Sequence, residues 1–203
     1  LLNIKQVYGE FPENFSDHIQ QYDNPAFKAN EKYHFVYDKL FIMNSQDMPS
    51  GKLNKETTNN KNIEYPIFIK PRWGHTSAGS KDCYKINDTT QLQQFIHKPN
   101  MMWSTFINAN ETMTDFVMQD GKILYQLTYQ YSPKQNVFAD DWKFINPQSQ
   151  PPKKIVEWIH KHLPDYTGAL NVQYRDDIII EVSLRFARRG SYLKSTNNPK
   201  LIR

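Results

Sequence analysis

Asn171, Gln173, Glu181, Ser183 and Arg185 occupy odd positions in a segment whose even positions, Leu170, Val172, Tyr174, Ile178, Ile180, Val182 and Leu184, are apolar. That period of two predicts a β-hairpin, with Arg175-Asp176-Asp177 as the turn signal. A one-residue slip in register sends every side chain of a strand to the other face. Both apolar sets therefore meet one core only if the connection holds an odd number of residues, most simply three. The polar set, with Ile179 among it, then shares the opposite face. A carboxylate flanked by neutral oxygen donors and followed by an arginine suits a hard cation that carries phosphates, with oxygens for the metal and a planar cation for the phosphate charge. The same row would equally serve as the solvated face of an ordinary half-exposed hairpin.

A second segment bears on the choice. Tyr65-Pro-Ile-Phe-Ile-Lys-Pro-Arg-Trp-Gly-His-Thr-Ser-Ala-Gly-Ser80 reads as a short buried strand ending in Lys70, then a loop of small and hydroxyl residues, then a second strand around Cys83 to Ile86. Gly74 and Gly79 let a backbone approach a ligand closely, and the hydroxyls of Thr76, Ser77 and Ser80 can donate to phosphate oxygens. Lys70 supplies charge. This differs from the phosphate loop whose lysine follows the glycines and opens a helix, because here the lysine precedes them at a strand end.

Together, and in their order along the chain, these segments resemble the ATP-grasp superfamily over residues 36 to 195. The resemblance implies an α+β fold in which two lobes with antiparallel sheets hold a nucleotide between them. Lys70 in Pro66-Ile-Phe-Ile-Lys-Pro71 matches the lysine at the end of the strand before the flexible loop, and Lys39 in Tyr37-Asp-Lys-Leu-Phe41 matches the earlier one. Gly74, Ser77, Gly79 and Ser80 would then close over the β- and γ-phosphates. In Trp103-Ser-Thr-Phe-Ile-Asn-Ala-Asn-Glu111, the backbone of residues 103–106 would face the adenine and Glu111 would accept from the ribose hydroxyls. Gly168-Ala-Leu-Asn-Val-Gln173 and Glu181-Val-Ser-Leu-Arg185 are similar to the metal-binding strands, in wording nearest the carbamoyl-phosphate synthetase branch. They imply Gln173, Glu181 and Ser183 as Mg2+ ligands and Arg185 as partner of the transferred phosphoryl group. Arg188, with Arg189, either binds a carboxylate or acyl phosphate or is exposed charge at a helix start. The implied activity is that of a ligase using ATP and Mg2+ to activate a small carboxylate as an acyl phosphate for an amine or other nitrogen nucleophile.

The chain departs from the family pattern at several of these places. Ser183 and Leu184 stand where asparagine and proline are usual, Ser104 stands where an acidic adenine contact is common, and the turn between the metal strands is short. With Gln173 neutral, Glu181 is the one sure anionic ligand. The alternatives are therefore a nucleotide-binding protein of this fold without catalysis and, ranking last, a basic nucleic-acid-binding module using Arg185, Arg188, Arg189 and exposed tyrosines.

The elements needed to hold these residues are also foreshadowed. At 203 residues, 14% of them aromatic, the chain can bury a sizeable core, while its net charge of +4 favours anionic ligands without choosing among them. A pI near 9.0 agrees. Residues 1–30 are expected as an irregular arm or the remnant of a preceding domain, 31–102 as the first lobe, and 103–203 as the second. A helix is expected from Asn30 or Glu31 to Met43, a polar linker over 49–64, a helix capped by Thr89 or Thr90 and running through His97, strands at about 102–108, 112–118 and 122–131, a loop from Pro133 to Pro152, and a helix from Pro152 through His162. Cys83 by itself permits no internal disulfide and suits a reducing, cytoplasmic setting. No apolar run is long enough to span a membrane. Leu1-Leu2-Asn3 is neither a signal peptide nor a start with methionine, so a processed or cut product with a portion missing before it is expected. A homodimer is compatible with these features.

Overall fold

The computed structural model describes residues 20, 22–77, 81–131, 142–144 and 149–187. Within them the chain begins with helix α1 (Asp23–Ala29), a 3-10 segment (Glu31–Tyr37) and helix α2 (Lys39–Asn44). The single helix expected over 31–43 is thus broken, and part of the supposed irregular arm is helical. The break has a local cause. Asp38 leaves helical space and its Oδ1 accepts from Leu40 N at 3.0 Å, so a capping carboxylate starts a new helix with Lys39 as its first residue.

Two antiparallel sheets follow. The first has the order β1-β4-β2-β3, from strands β1 (Ser50–Lys52), β2 (Ile67–Pro71), β3 (Tyr84–Ile86) and β4 (Met101–Thr105). The expected linker over 49–64 therefore contributes an edge strand, followed by a short 3-10 turn capped by Asn54. Helix α3 (Thr89–Gln93) is capped by Asp88, whose Oδ1 accepts from Gln91 N at 2.9 Å, and it stops short of His97. Leu53, Ile63, Ile67, Ile69, Ile86, Leu92, Met101 and Trp103 form the core of this layer.

The second sheet has the order β7-β6-β5-β8-β9, from β5 (Glu111–Gln119), β6 (Lys122–Tyr131), β7 (Trp142–Phe144), β8 (Gly168–Arg175) and β9 (Ile178–Ser183). β7 lies inside the stretch expected as loop. Helix α4 (Lys153–His162) buries Ile155, Trp158 and Ile159. It packs with Val36, Tyr37, Ile42 and Met43 against Phe116, Leu170, Val172, Tyr174, Ile179 and Val182, so residues 23–44 precede the first sheet in sequence yet share the core of the second. The expected boundary at 102/103 falls inside β4, and the chain changes sheets over 106–110.

The β8–β9 hairpin obeys the parity argument by an unexpected route. Gln173 pairs with Glu181 and Asn171 with Ser183, so these four share a face. The odd residue is not in the turn, however. Arg175 pairs with Ile178 across a two-residue turn, with Asp176 at φ 53°, and Ile180 is bulged out of the ladder. Ile179, expected on the polar face, is consequently fully buried in the core.

Because β9 is the edge of its sheet, its outward backbone groups need partners other than a strand. Side chains supply them. Gln46 donates to Ile179 O at 2.9 Å and accepts from Ile179 N at 2.7 Å, Lys70 donates to Ile180 O at 2.9 Å, and the Tyr37 hydroxyl accepts from Leu184 N at 3.0 Å.

Candidate functional site

Three elements bring charge to the edge of β9. Lys70 is the next-to-last residue of β2 in the first sheet, just before Pro71, and its side chain reaches the second sheet at the bulged Ile180 carbonyl. Lys39 opens α2, which is docked onto the chain after β2: Lys39 N donates to Arg72 O at 2.9 Å, Asp38 bridges with Trp73, and Arg72 Nε donates to Asp38 Oδ1 at 2.7 Å. Glu181 comes from β9. Its Oε2 lies 3.1 Å from Lys39 Nζ, which also donates to Ser77 Oγ at 3.2 Å. Lys39, at 4% exposure, and Lys70, at 6%, are both buried.

Burial, and next the neighbouring Lys39, push the Lys70 ammonium down to about 8, against the pull of Glu181. Glu111, the first residue of β5, is pushed up by burial, opposed by Arg175, whose Nη2 lies 3.3 Å from Glu111 Oε2. Arg175 also donates to the carbonyls of Ile107 and Ala109, both at 3.2 Å, and so pins the segment between the two sheets. Glu181 and Lys70 both act on the Glu111 charge, so all three belong to one electrostatic cluster. Gly74 sits over it. A Cβ there would meet the Tyr37 ring at 3.5 Å and Glu181 Oε1 at 3.7 Å, ordinary contacts that would still fill the space above the carboxylate.

The donor set suits a hard divalent cation. Gln173 and Glu181 face the same side as Ser183, whose Oγ is buried with no hydrogen-bond partner among the described residues. Such an orphaned hydroxyl beside a carboxylate is a ready oxygen ligand. Behind it lies a feature the sequence did not advertise. Asp115, 3% exposed, accepts at Oδ1 from Asn171 Nδ2 at 2.8 Å and Ala187 N at 2.9 Å, in a row Asp115–Asn171–Ser183 across three strands.

Other expected residues fall elsewhere. Arg185 is 7% exposed and already engaged: its Nη2 lies 2.7 Å from Asp23 Oδ2 and its Nη1 donates to Phe186 O at 2.8 Å. That pairing ties α1 to the end of β9, while Arg185 Nε has no hydrogen-bond partner among the described residues. The backbone of Trp103 and Ser104 lies in a central strand paired on both sides, so it cannot offer its groups to a base as expected. Gly79, Ser80 and Arg188 lie outside the described residues. His75 stacks on Phe27 at 3.8 Å between centroids, and Phe27 stacks in turn on His34 at 3.6 Å. Burial, and then His34, push the His75 imidazole down. Among the described residues no cluster of three or more histidine, cysteine, aspartate or glutamate side chains has the geometry of a metal site. No helix there is long and apolar enough to cross a membrane.

Neither a protein-family model nor a curated protein sequence matches the chain. Solved structures do. One is N5-carboxyaminoimidazole synthetase from Staphylococcus aureus complexed with ADP, at TM-score 0.62 and 18% identity, covering 78% of this chain and 47% of that one. Another is L-amino acid ligase from Bacillus licheniformis, at TM-score 0.60 and 17% identity, covering 94% and 53%. A third is D-alanine–D-alanine ligase from Bacillus anthracis, at 0.57 and 15%, covering 89% and 71%. The chain thus spans about half the length of the first two. At these identities the likeness is one of fold.

Proposed function

The chain has the ATP-grasp fold, and from that premise we propose that it is an ATP-dependent ligase that activates a carboxylate as an acyl phosphate for capture by a nitrogen nucleophile. The observation that carries this reading is the meeting of Lys39 and Lys70, from separate elements, with Glu181 and Gln173 where the two sheets adjoin. Several similar solved structures point the same way in what they hold: ADP, ATP, or MgADP with bicarbonate.

In this chemistry a carboxylate oxygen attacks the γ-phosphorus, the bond to the β-phosphate oxygen breaks and ADP leaves. The nitrogen lone pair then attacks the acyl carbon, phosphate departs and the nitrogen loses a proton. No protein nucleophile is needed, so the protein contributes alignment and charge. Lys39 and Lys70 hold the phosphates, the Gly74–Ser77 turn covers them, and Glu111 receives the ribose hydroxyls. Gln173, Glu181 and Ser183 hold Mg2+, which when bound neutralises phosphate charge. Arg185 acts as a positioning residue. Small carboxylates and amines are the substrate classes, and the lobes are the two sheets with their helices.

Gln173 favours a second reading, a nucleotide-binding protein without catalysis, because it leaves Glu181 as the sole carboxylate of the donor set. Measuring ADP release against pooled carboxylates and amines separates the two. Lys70→Met removes a charge-assisted contact that contributes about 1.5–3 kcal/mol, so ATP affinity should fall roughly ten- to a hundredfold. Glu181→Gln should abolish cation-dependent ADP release while nucleotide binding without metal persists. Unchanged release in Glu181→Gln removes the catalytic reading, and unchanged ATP binding in Lys70→Met removes the nucleotide site itself.

A further inference from the structure

Glu181 has two prospective partners and only one carboxylate to offer them. In the structure it is taken by Lys39, 3.1 Å away, and Lys39 is itself buried and held by Ser77. The other oxygen donors on that face, Gln173 and Ser183, are neutral. Lys70 gives one of its three N–H donors to the Ile180 carbonyl and makes no ion pair with Glu181, while Glu111 is paired with Arg175 and Arg185 with Asp23. A cation arriving alone at the other oxygen, Oε1, would meet a carboxylate whose charge Lys39 already neutralises and would face the repulsion of that buried ammonium, and displacing Lys39 would leave it without a counter-charge in a desolvated site. Phosphate arriving alone would have to draw Lys39 away and leave Glu181, whose side chain is 26% exposed, unpaired beside a second anion, a cost set by repulsion more than by burial. Both costs vanish when the two arrive together, because Lys39 passes to the phosphate as Glu181 passes to the cation.

We propose that the Lys39–Glu181 ion pair is an internal plug that couples cation uptake to nucleotide uptake, so that neither ligand binds well without the other. This rests on the nucleotide reading above and adds to it how the site is regulated. It carries an uncommon sign: removing a positively charged phosphate ligand should strengthen the binding of a bare cation. A second carboxylate at position 173 would abolish the competition, since the cation would then have an anion of its own.

The test titrates the full chain with Mn2+ alone, read by electron paramagnetic resonance, and with ADP in the presence of Mn2+ or of EDTA. The wild type should take up Mn2+ weakly without ADP, and Mn2+ should tighten ADP binding. In Lys39→Met, of similar length and checked for folding by its melting curve, Mn2+ affinity without ADP should rise by about tenfold. The same variant should bind ADP less well and lose most of the tightening by Mn2+. Gln173→Glu, which leaves Lys39 in place, should also raise Mn2+ affinity without ADP and provides the test should Lys39→Met fail to fold. Glu181→Gln should remove the uptake in the wild-type and Lys39→Met backgrounds, whereas Gln173→Glu keeps an anion for the cation. If ADP and Mn2+ bind the wild type together but Lys39→Met and Gln173→Glu take up Mn2+ no better than wild type, the plug is refuted and the nucleotide site stands. If the wild type binds no ADP under either condition, both fall together.

Discussion

Lys70 shows how far a single residue can be bent toward a task at the expense of the fold. Its ammonium is buried and its pKa stands at about 8 instead of 10.5, a displacement that corresponds to a cost on the order of 2–4 kcal/mol at neutral pH. The sign follows from which state binds the proton better. The unfolded chain holds it up to 10.5 and the folded one only to about 8, so stability is lost as pH falls from 10.5 to about 8 and stays flat below. Lys70→Met lacks that dependence. Although it strands the Ile180 carbonyl, its stability relative to wild type should rise as pH is lowered from 10 to 8, when urea unfolding is followed at both. A difference that does not change over that window would mean that the ammonium is not desolvated. Lys70 was singled out by its place in the ATP-grasp resemblance, since a strand, Lys-Pro and a glycine loop taken alone equally suit an ordinary flexible hairpin tip. Asp115 was not, because one acidic residue in a strand of mixed character has no meaning until its cross-strand neighbour is known.

Hairpins and edges are where sequence parity and real geometry part company. The alternation in residues 170–184 correctly put Gln173 and Glu181 on one face, since two apolar half-sets cannot otherwise meet one core, although a three-residue loop would have set Gln173 opposite Ile179 and not opposite Glu181. It could not say where the extra residue would go, because a three-residue loop and a two-residue turn plus bulge satisfy the same parity. The bulge wins here where Lys70 from the other sheet takes up the Ile180 carbonyl. The broken helix at Asp38 was hidden for a related reason: the apolar spacing of Tyr33, Val36, Tyr37 and Leu40 continues through the break, while the local cap from Asp38 to Leu40 N is held in place by Arg72, a residue far along the chain. Gln46 carries a prediction of its own. It satisfies both backbone groups of Ile179 on the open edge, so Gln46→Ala leaves a buried donor and acceptor unpaired and should cost about 1–3 kcal/mol. Hydrogen exchange at the Ile179 amide should quicken in step. Unaltered protection there would show that something other than Gln46 guards the edge.

Across the whole molecule, the two-sheet arrangement could be read from the order of the segments, but the sharing of residues 23–44 with the second core could not, because nothing in that stretch marks which sheet it will cover. The net charge of +4 invited a nucleic-acid reading through Arg185, Arg188 and Arg189, and among the described residues its distribution gives that reading little support, Arg188 and Arg189 lying outside them. Around the site, Lys39 faces Glu181, Arg72 faces Asp38, Arg175 faces Glu111 and Arg185 faces Asp23, so the arginines and the lysine that might have tracked a phosphate backbone are paired with carboxylates. Among the described residues what remains is Lys70, buried against the Ile180 carbonyl, and scattered surface lysines. A single strand of DNA should therefore bind only through diffuse attraction and be released by roughly 0.2 M salt, as a few phosphate contacts are readily replaced by counterions. ADP, held in a partly desolvated cleft, should lose much less affinity over the same range. Fluorescence anisotropy of a labelled oligothymidine, with and without saturating ADP and Mn2+, tests both. Binding that survives 0.2 M salt and is displaced by ADP would place the polyanion in the cleft itself and reinstate nucleic acid as the ligand.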